Sequence, residues 1–90
     1  MVILTIFTTP TCPKCAHAKE VVCHCADTAN KQGKHVEVEM IDASTNDGLM
    51  RAAELNVGLT VPKVVINHND DIDTHLGVND ISEVRILSLL

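Results

Sequence analysis

Two stretches, VILTIF at Val2–Phe7 and CPKC at Cys12–Cys15, are separated by four residues and together decide the fold of this chain. The first is a continuous apolar run rich in β-branched residues, which predicts a strand buried on both faces. Thr8–Thr11 form a turn, and because proline fits the first helical turn, a helix should begin near Cys12 or Pro13. A Cys-x-x-Cys that opens a helix after a strand is the arrangement that thiol–disulfide exchange requires.

The spacing of Cys12 and Cys15 also has a chemical reason. Two sulfurs separated by two residues can meet within one helical turn, as a short disulfide demands. The unpaired N–H groups at a helix N-terminus favour a thiolate over a thiol, and only the thiolate attacks a disulfide. We therefore expect a redox pair, although a static disulfide or two small core residues would satisfy the same sequence.

Length, charge and hydropathy exclude several classes of function. Ninety residues suit a single domain over 1–90. Its core should be aliphatic, because Phe7 is the one aromatic residue of the sequence. A net charge of −5 with seven scattered basic residues argues against nucleic acid. No apolar run reaches the roughly 18–20 residues of a membrane span, and Val2–Phe7 is too short for a signal sequence. We therefore expect a cytoplasmic protein that binds no membrane.

The first helix and the strand after it have clear patterns. At 100° per residue one helix face collects Cys15, Ala18, Val22, Cys25, Ala26 and Ala29. Gly33 should end this helix. His35–Asp42 reads as a strand with Val36, Val38 and Met40 on one face and Glu37 and Glu39 on the other. The two glutamates predict an edge strand.

The second half of the chain predicts a helix, two strands and a last helix. Ser44–Asp47 offers caps for a helix that carries Leu49, Met50, Ala53 and Leu55 and closes at Val57 and Gly58. Lys63–Ile66 is a third strand, Asn67–Asp70 a turn, and Ile72, Thr74 and Leu76 alternate as a fourth strand. Asn79 or Asp80 can cap a final helix bearing Ile81, Val84, Leu87 and Leu90.

The predicted order is β-α-β-α-β-β-α, which gives an α/β four-stranded mixed sheet with helices on both faces. With CPKC at Cys12–Cys15 and Thr60-Val61-Pro62 about 45 residues later, the whole chain resembles the thioredoxin fold in its small, glutaredoxin-like form. The resemblance implies that Val61–Pro62 is a cis bond. It also implies that Thr60, Val61 and Pro62 pair with an extended substrate segment.

The resemblance implies roles for the active-site residues as well. Cys12 would be the exposed nucleophile that attacks a protein disulfide, and Cys15 the more buried thiol that resolves the mixed disulfide. Among the supporting residues, Pro13 would restrain the redox turn, Lys14 would favour the Cys12 thiolate, and Thr11 occupies the place of a thioredoxin tryptophan.

The chain departs from the residues typical of larger thioredoxins and of glutathione-using glutaredoxins, and these departures indicate which electron donor to expect. Ile6 stands where thioredoxins carry a buried aspartate. The glutathione site of glutathione-using glutaredoxins contains a lysine, a tyrosine and a glycine pair, and this chain has Thr9, Lys14 and Leu76-Gly77 in their places. Asp80 matches that site. Gly77 and Asp80 would either bind substrate or serve as turn and helix cap. We expect a monomeric protein-disulfide reductase with no cofactor beyond its redox-active disulfide. Its electron donor would resemble thioredoxin reductase, with glutathione as the alternative.

The two remaining cysteines leave a rival function open. Cys25 projects with the apolar helix face and should be a buried, inert thiol, and Cys23 lies on the flank of the same helix. Cys12, Cys15, Cys23 and Cys25 have the ligand count of a zinc site, but ligands spread along one helix cannot converge on one tetrahedral ion. A metal-binding protein is therefore the less favoured alternative, and we assign no metal ligand.

Overall fold

The computed structural model describes residues 2–55, 61–68, 71–77 and 81–90, and residues 71–75 by their backbone alone. Within these ranges seven elements follow one another: β1 (Val2–Thr8), α1 (Pro13–Lys31), β2 (Val36–Asp42), α2 (Asn46–Glu54), β3 (Lys63–His68), β4 (Asp71–Leu76) and α3 (Glu83–Leu89). The predicted element order with three helices is confirmed. None of the described helices is both long enough and apolar enough to span a bilayer.

The strands form one mixed sheet in the order β2-β1-β3-β4. Strand β1 runs parallel to β2 and antiparallel to β3, and β3 runs antiparallel to β4. Thr8 pairs with Asp42, and Phe7 pairs with Lys63, so the ends of β1 and β2 and the start of β3 lie at one edge of the sheet. We call this the carboxyl edge. Strand β2 borders the sheet, as Glu37 and Glu39 predicted.

Helices α1 and α3 cover one face of the sheet. The helix face predicted for α1 is confirmed in full, because the buried residues of α1 are Cys15, Ala18, Val22, Cys25, Ala26 and Ala29. All of them except Cys15 pack with Leu4, Ile6, Val64 and Ile66 of the central strands and with Ile86 of α3. The helix ends at Lys31, followed by Gly33 at a φ of 87°, a left-handed conformation that glycine adopts most easily.

Helix α2 covers the opposite face, and of the four apolar residues predicted for it only Leu55 is buried. Its buried side contains Gly48 and Ala52, which lead to buried Leu55, whereas Leu49, Met50 and Ala53 are exposed. The reason is a close approach: a Cβ on Gly48 would collide with the backbone carbonyl of Asp42. The helix therefore turns its smallest residue, and not its largest ones, toward the sheet.

Helix α3 begins later than the sequence suggested. Ser82 caps it, accepting a hydrogen bond from the Arg85 N–H at 3.2 Å, whereas the predicted caps Asn79 and Asp80 lie outside the described residues. The single fully buried residue of this helix is Ile86, and Val84 is 81% exposed. The other apolar residues predicted for this helix, Ile81, Leu87 and Leu90, are partly buried against the same core. Asn67 and His68, predicted as turn residues, belong to β3.

Candidate active site

Cys12 is the N-cap of α1, and Pro13 occupies the first helical position, as predicted. The backbone N–H of Cys15 donates to the Cys12 Sγ at 3.2 Å. The sulfur therefore takes the place that a serine or aspartate oxygen takes at an ordinary helix cap. The first turn of α1 contains no acidic residue, so no carboxylate there competes with the Cys12 sulfur for the positive end of the helix dipole.

The two sulfurs form the Cys12–Cys15 disulfide, with the Cα atoms 5.3 Å apart. Their surroundings differ: Cys12 is half-buried and Cys15 is 1% exposed. The residues next to Cys12 in the sequence, Thr11, Pro13 and Lys14, are exposed. A macromolecular thiol or disulfide can therefore approach the Cys12 sulfur but not the Cys15 sulfur.

The loop that carries Cys12 is fastened to the end of the sheet. The Cys12 N–H donates to the Thr9 carbonyl at 3.3 Å, which closes a turn between β1 and α1. The Thr8 carbonyl accepts the Ala43 N–H at 2.7 Å, and Thr8 itself is buried. These bonds fix the cysteine pair at the carboxyl edge.

The predicted proline loop reaches the same edge. Val61–Pro62 is a cis peptide bond, as the resemblance implied. Pro62 is buried and directly precedes Lys63, the register partner of Phe7, and Val61 packs on the α2-side core. The sheet register thus brings Val61 and Pro62 to the end of β1, four residues before Cys12.

The other residues assigned to substrate binding are only partly described. Thr60 and Asp80 lie outside the described residues. Gly77 is half-buried and follows Leu76, which pairs with Val64 near the carboxyl edge. Leu76 is 2% exposed and belongs to the core, so the position equivalent to a glycine of the glutathione site holds a packed side chain.

Cys23 and Cys25 are free thiols, the first exposed and the second buried, as predicted. The Cys25 thiol contacts the Glu83 carbonyl at 3.8 Å, and burial first, with the Glu83 carboxylate second, raises its pKa. Among the described residues, which include all four cysteines, no three His, Cys, Asp or Glu side chains are grouped as metal ligands.

The sequence reasoning missed two charged residues at this edge. Lys63 is half-buried at the start of β3, and its position directly after Thr60-Val61-Pro62 was the available signal. Asp42 ends β2, where hydrogen bonds from the Ser44 hydroxyl and N–H, together with the charge of Lys19, lower its pKa. The signal for Asp42 was its place just before a helix cap.

Comparison with known proteins agrees with this geometry. The glutaredoxin family model matches residues 4–70. A protein of Archaeoglobus fulgidus described as a probable thioredoxin is 37% identical over 87 residues, covering 97% of this chain and 86% of that protein. A thioredoxin of Methanocaldococcus jannaschii is 39% identical over 64 residues, covering 71% of this chain and 68% of that protein.

Solved structures give the same fold. Oxidised thioredoxin O2 of Arabidopsis thaliana matches with a TM-score of 0.78 at 17% identity, covering 99% of this chain and 71% of that one. Fasciola hepatica thioredoxin matches with a TM-score of 0.74 at 18% identity, covering 98% and 76%. The architecture is therefore a thioredoxin-like α/β fold.

Proposed function

This chain belongs to the glutaredoxin family and is a thiol–disulfide oxidoreductase, and we propose that Cys12 attacks its substrates and Cys15 resolves the product. The observation that carries the proposal is the asymmetry of the pair. The Cys12 sulfur is accessible and accepts the N–H of Cys15, whereas the Cys15 sulfur is enclosed in the core. Such an arrangement favours attack by the outer thiol and limits the inner one to an intramolecular step.

The exchange follows from ordinary disulfide chemistry. The Cys12 thiolate attacks one sulfur of a substrate disulfide, that S–S bond breaks, and the departing sulfur leaves as a thiolate that takes up a proton. The Cys15 thiolate then attacks the Cys12 sulfur, closes the Cys12–Cys15 bond and releases the second substrate thiol. Two electrons pass from the enzyme dithiol to the substrate, and the enzyme gives up two protons.

Cys15 must lose its proton before it attacks, and this chain has no carboxylate at the position where thioredoxins carry a buried aspartate. Ile6 is fully buried in the apolar core at that place. The buried polar side chains among the described residues are Thr5 and Thr8, and neither is an effective base. We infer that solvent, entering when the mixed disulfide forms at the carboxyl edge, accepts this proton.

The electron donor is proposed to be a thioredoxin-reductase-like dithiol rather than glutathione. Three features support this choice: Thr9 stands in place of a lysine, Lys14 stands in place of a tyrosine, and Leu76, in place of a glycine, is packed into the core. Proteins similar to this chain are described as thioredoxins. The proposed substrates are protein disulfides, held in part by Val61, Pro62 and Gly77, with Thr60 and Asp80 as further candidates.

We also propose that the chain acts as one domain, as a monomer and in the cytoplasm. Its radius of gyration of 12.1 Å is close to the roughly 12 Å expected of a compact 90-residue domain. Cytosolic thiol buffers would hold the pair in its reduced, working form. No cofactor besides the disulfide is needed for the exchange described above.

The test is a trap for the mixed disulfide. Cys15→Ser, with Cys12 intact, should accumulate a covalent adduct with a disulfide-containing protein such as insulin, and the adduct should disappear on reduction. Cys12→Ser should form none, because Cys15 is inaccessible. Cys25→Ser is the matched control and should turn over like wild type. An adduct through Cys23 in both variants would refute the assignment.

A further inference from the structure

Two lysines lie at the carboxyl edge around the cysteine pair. Lys14 is exposed in the first turn of α1, between Cys12 and Cys15. Lys63 is the first residue of β3, immediately after Pro62. Because side chains alternate along a strand, Lys63 lies on the same face as Val65, which packs on the α2 side. Two cations on different elements therefore lie at the carboxyl edge, one in the first turn of α1 and one directly after Pro62.

Among the described residues, these two lysines form no ion pair, as is also true of Lys19, Lys34 and Arg85 but not of the remaining two cations. Lys31 pairs with Asp27 at 3.1 Å, and Arg51 pairs with Glu39 and Glu54 at 3.4 and 3.5 Å. In the described part of the chain neither Lys14 nor Lys63 forms an ion pair. Acidic residues outnumber basic ones by twelve to seven. Since no ion pair with a described residue neutralises these two lysines, they are the positive charges of the redox edge in an acidic protein.

The opposite side of the same edge is negative. Asp42 ends β2, Asp47 lies in the first turn of α2, and β2 is separated from β3 by β1. Lys19 offsets part of the Asp42 charge but lies behind the first turn of α1. The charge around Cys12 thus changes from negative beside β2 to positive beside β3.

We propose that Lys14 and Lys63 select protein disulfides flanked by acidic side chains, with the carboxylates lying on the β3 side of Cys12. The inference rests on the proposed function, because it concerns which disulfides that site prefers. Charge complementarity speeds encounter and fixes the orientation of a bound segment. Glutathione also carries carboxylates, but the occupant that fits here is a polypeptide, whose extended segment would run past Pro62 to Lys63.

The experiment uses two synthetic peptides that share one intramolecular disulfide and differ only in two flanking residues, both Glu or both Gln. The rate constant for oxidation of the reduced enzyme by each peptide is measured for wild type, Lys14→Gln, Lys63→Gln and Lys34→Gln. Lys34 is exposed before β2, at the end of the sheet away from the cysteines, so it makes the matched control. The quantity compared is the Glu-to-Gln rate ratio, which cancels any change in thiolate reactivity.

Wild type should prefer the Glu peptide, and each edge substitution should reduce the preference by about 1.4- to 5-fold, the range of an exposed ion pair. The preference should weaken in high salt and remain intact in Lys34→Gln. Equal rates for both peptides in wild type would overturn the inference while leaving the reductase proposal standing. An equal loss in Lys34→Gln would overturn it in favour of net charge. Reduction of neither peptide would instead refute the proposed function.

A third substrate, a neutral peptide carrying a glutathione mixed disulfide, shows whether the two lysines bind glutathione or an acidic polypeptide. If Lys14→Gln and Lys63→Gln slow this substrate and leave the Glu-to-Gln ratio unchanged, the lysines bind glutathione and the inference is wrong. If they lower the ratio and leave this substrate unaffected, the inference stands.

Discussion

The backbone N–H of Cys15 donates to the Sγ of Cys12 at 3.2 Å, across the first turn of α1. In the reduced protein the same N–H would stabilise negative charge on Cys12, the residue that we propose to be the attacking one. The bond needs no side chain beyond Cys12, because it depends only on the helix beginning at Pro13. The residue at which the helix starts therefore also determines the hydrogen bond that the Cys12 sulfur accepts.

The first prediction concerns the order in which the four thiols react. In the reduced protein at pH 7, iodoacetamide should alkylate Cys12 fastest and Cys23 next, whereas buried Cys15 and Cys25 should react slowly. Cys25 should remain slow even at pH 9, because burial raises its pKa and keeps it protonated. Mass spectrometry of the peptides measures the order, and labelling of Cys25 as fast as Cys23 would contradict it.

The second prediction concerns the attachment of α3. Ile86→Ala should lower the free energy of unfolding by about 2–5 kcal/mol, because Ile86 fills the core between α3 and the sheet. Val84→Ala in the same helix is the control and should stay within about 0.5 kcal/mol, since Val84 is 81% exposed. Urea denaturation measures both, and equal losses would mean that α3 packs through a different face.

The third prediction concerns the contact between α2 and the end of β2. Gly48→Ala should destabilise the protein by about 1–3 kcal/mol, because the new Cβ collides with the Asp42 carbonyl and the helix must shift. Gly77→Ala is the control, because a Cβ there meets nothing within 4 Å. Thermal denaturation should leave Gly77→Ala close to wild type. A stable Gly48→Ala variant would refute the close approach.

The fourth prediction concerns the edge strand. The Asn30 side chain donates to the Val36 carbonyl at 3.0 Å and accepts the Val36 N–H at 2.8 Å. Asn30→Ala should therefore speed hydrogen exchange at the Val36 amide and cost about 1–3 kcal/mol of stability. Asn30→Asp keeps the acceptor and should protect this amide better than Asn30→Ala. Unchanged exchange in Asn30→Ala would show that the bonds carry no weight.

The fifth prediction concerns acid stability at the carboxyl edge. Ser44→Ala should raise the pKa of Asp42 toward its ordinary value, because the Ser44 hydroxyl bond is the main cause of the lowered pKa. Ionised Asp42 stabilises the fold above about pH 4, its unfolded pKa, and this contribution is lost as pH falls through the lowered folded pKa. Carbon-13 NMR titration reads the pKa directly. An unchanged value would contradict the assigned cause.

How far the sequence sufficed depended on the length of each element. Helix α1 was predicted with its whole buried face, because nineteen residues between a proline at the first position and a later glycine leave one apolar stripe. Helices α2 and α3, of nine and seven residues, were predicted only in part: Leu55, Ile81, Leu87 and Leu90 pack on the core as expected, whereas the most deeply buried positions, Ala52 and Ile86, were missed. In a helix of two turns the packed side is decided by tertiary contacts, such as Gly48 against Asp42, that no local pattern reveals.

The candidate site, too, was predicted only in part from the sequence. The spacing of Cys12 and Cys15 and the periodicity around Cys25 predicted the pair and the inert thiol. That Lys63 forms no ion pair with a described residue could not be predicted, because it depends on which carboxylates the sheet brings near β3. The cap of α3 was misassigned because Asn79, Asp80 and Ser82 are all good caps and only packing of Ile86 selects among them.

The most direct test of the redox assignment is an equilibrium titration in dithiothreitol buffers of graded potential, with free thiols alkylated and each cysteine peptide weighed. We expect one reversible two-electron transition confined to Cys12 and Cys15, with a midpoint of about −270 to −200 mV. Cys23 and Cys25 should remain thiols throughout. A pair that stays oxidised below about −300 mV, or a transition that consumes Cys23, would contradict the assignment.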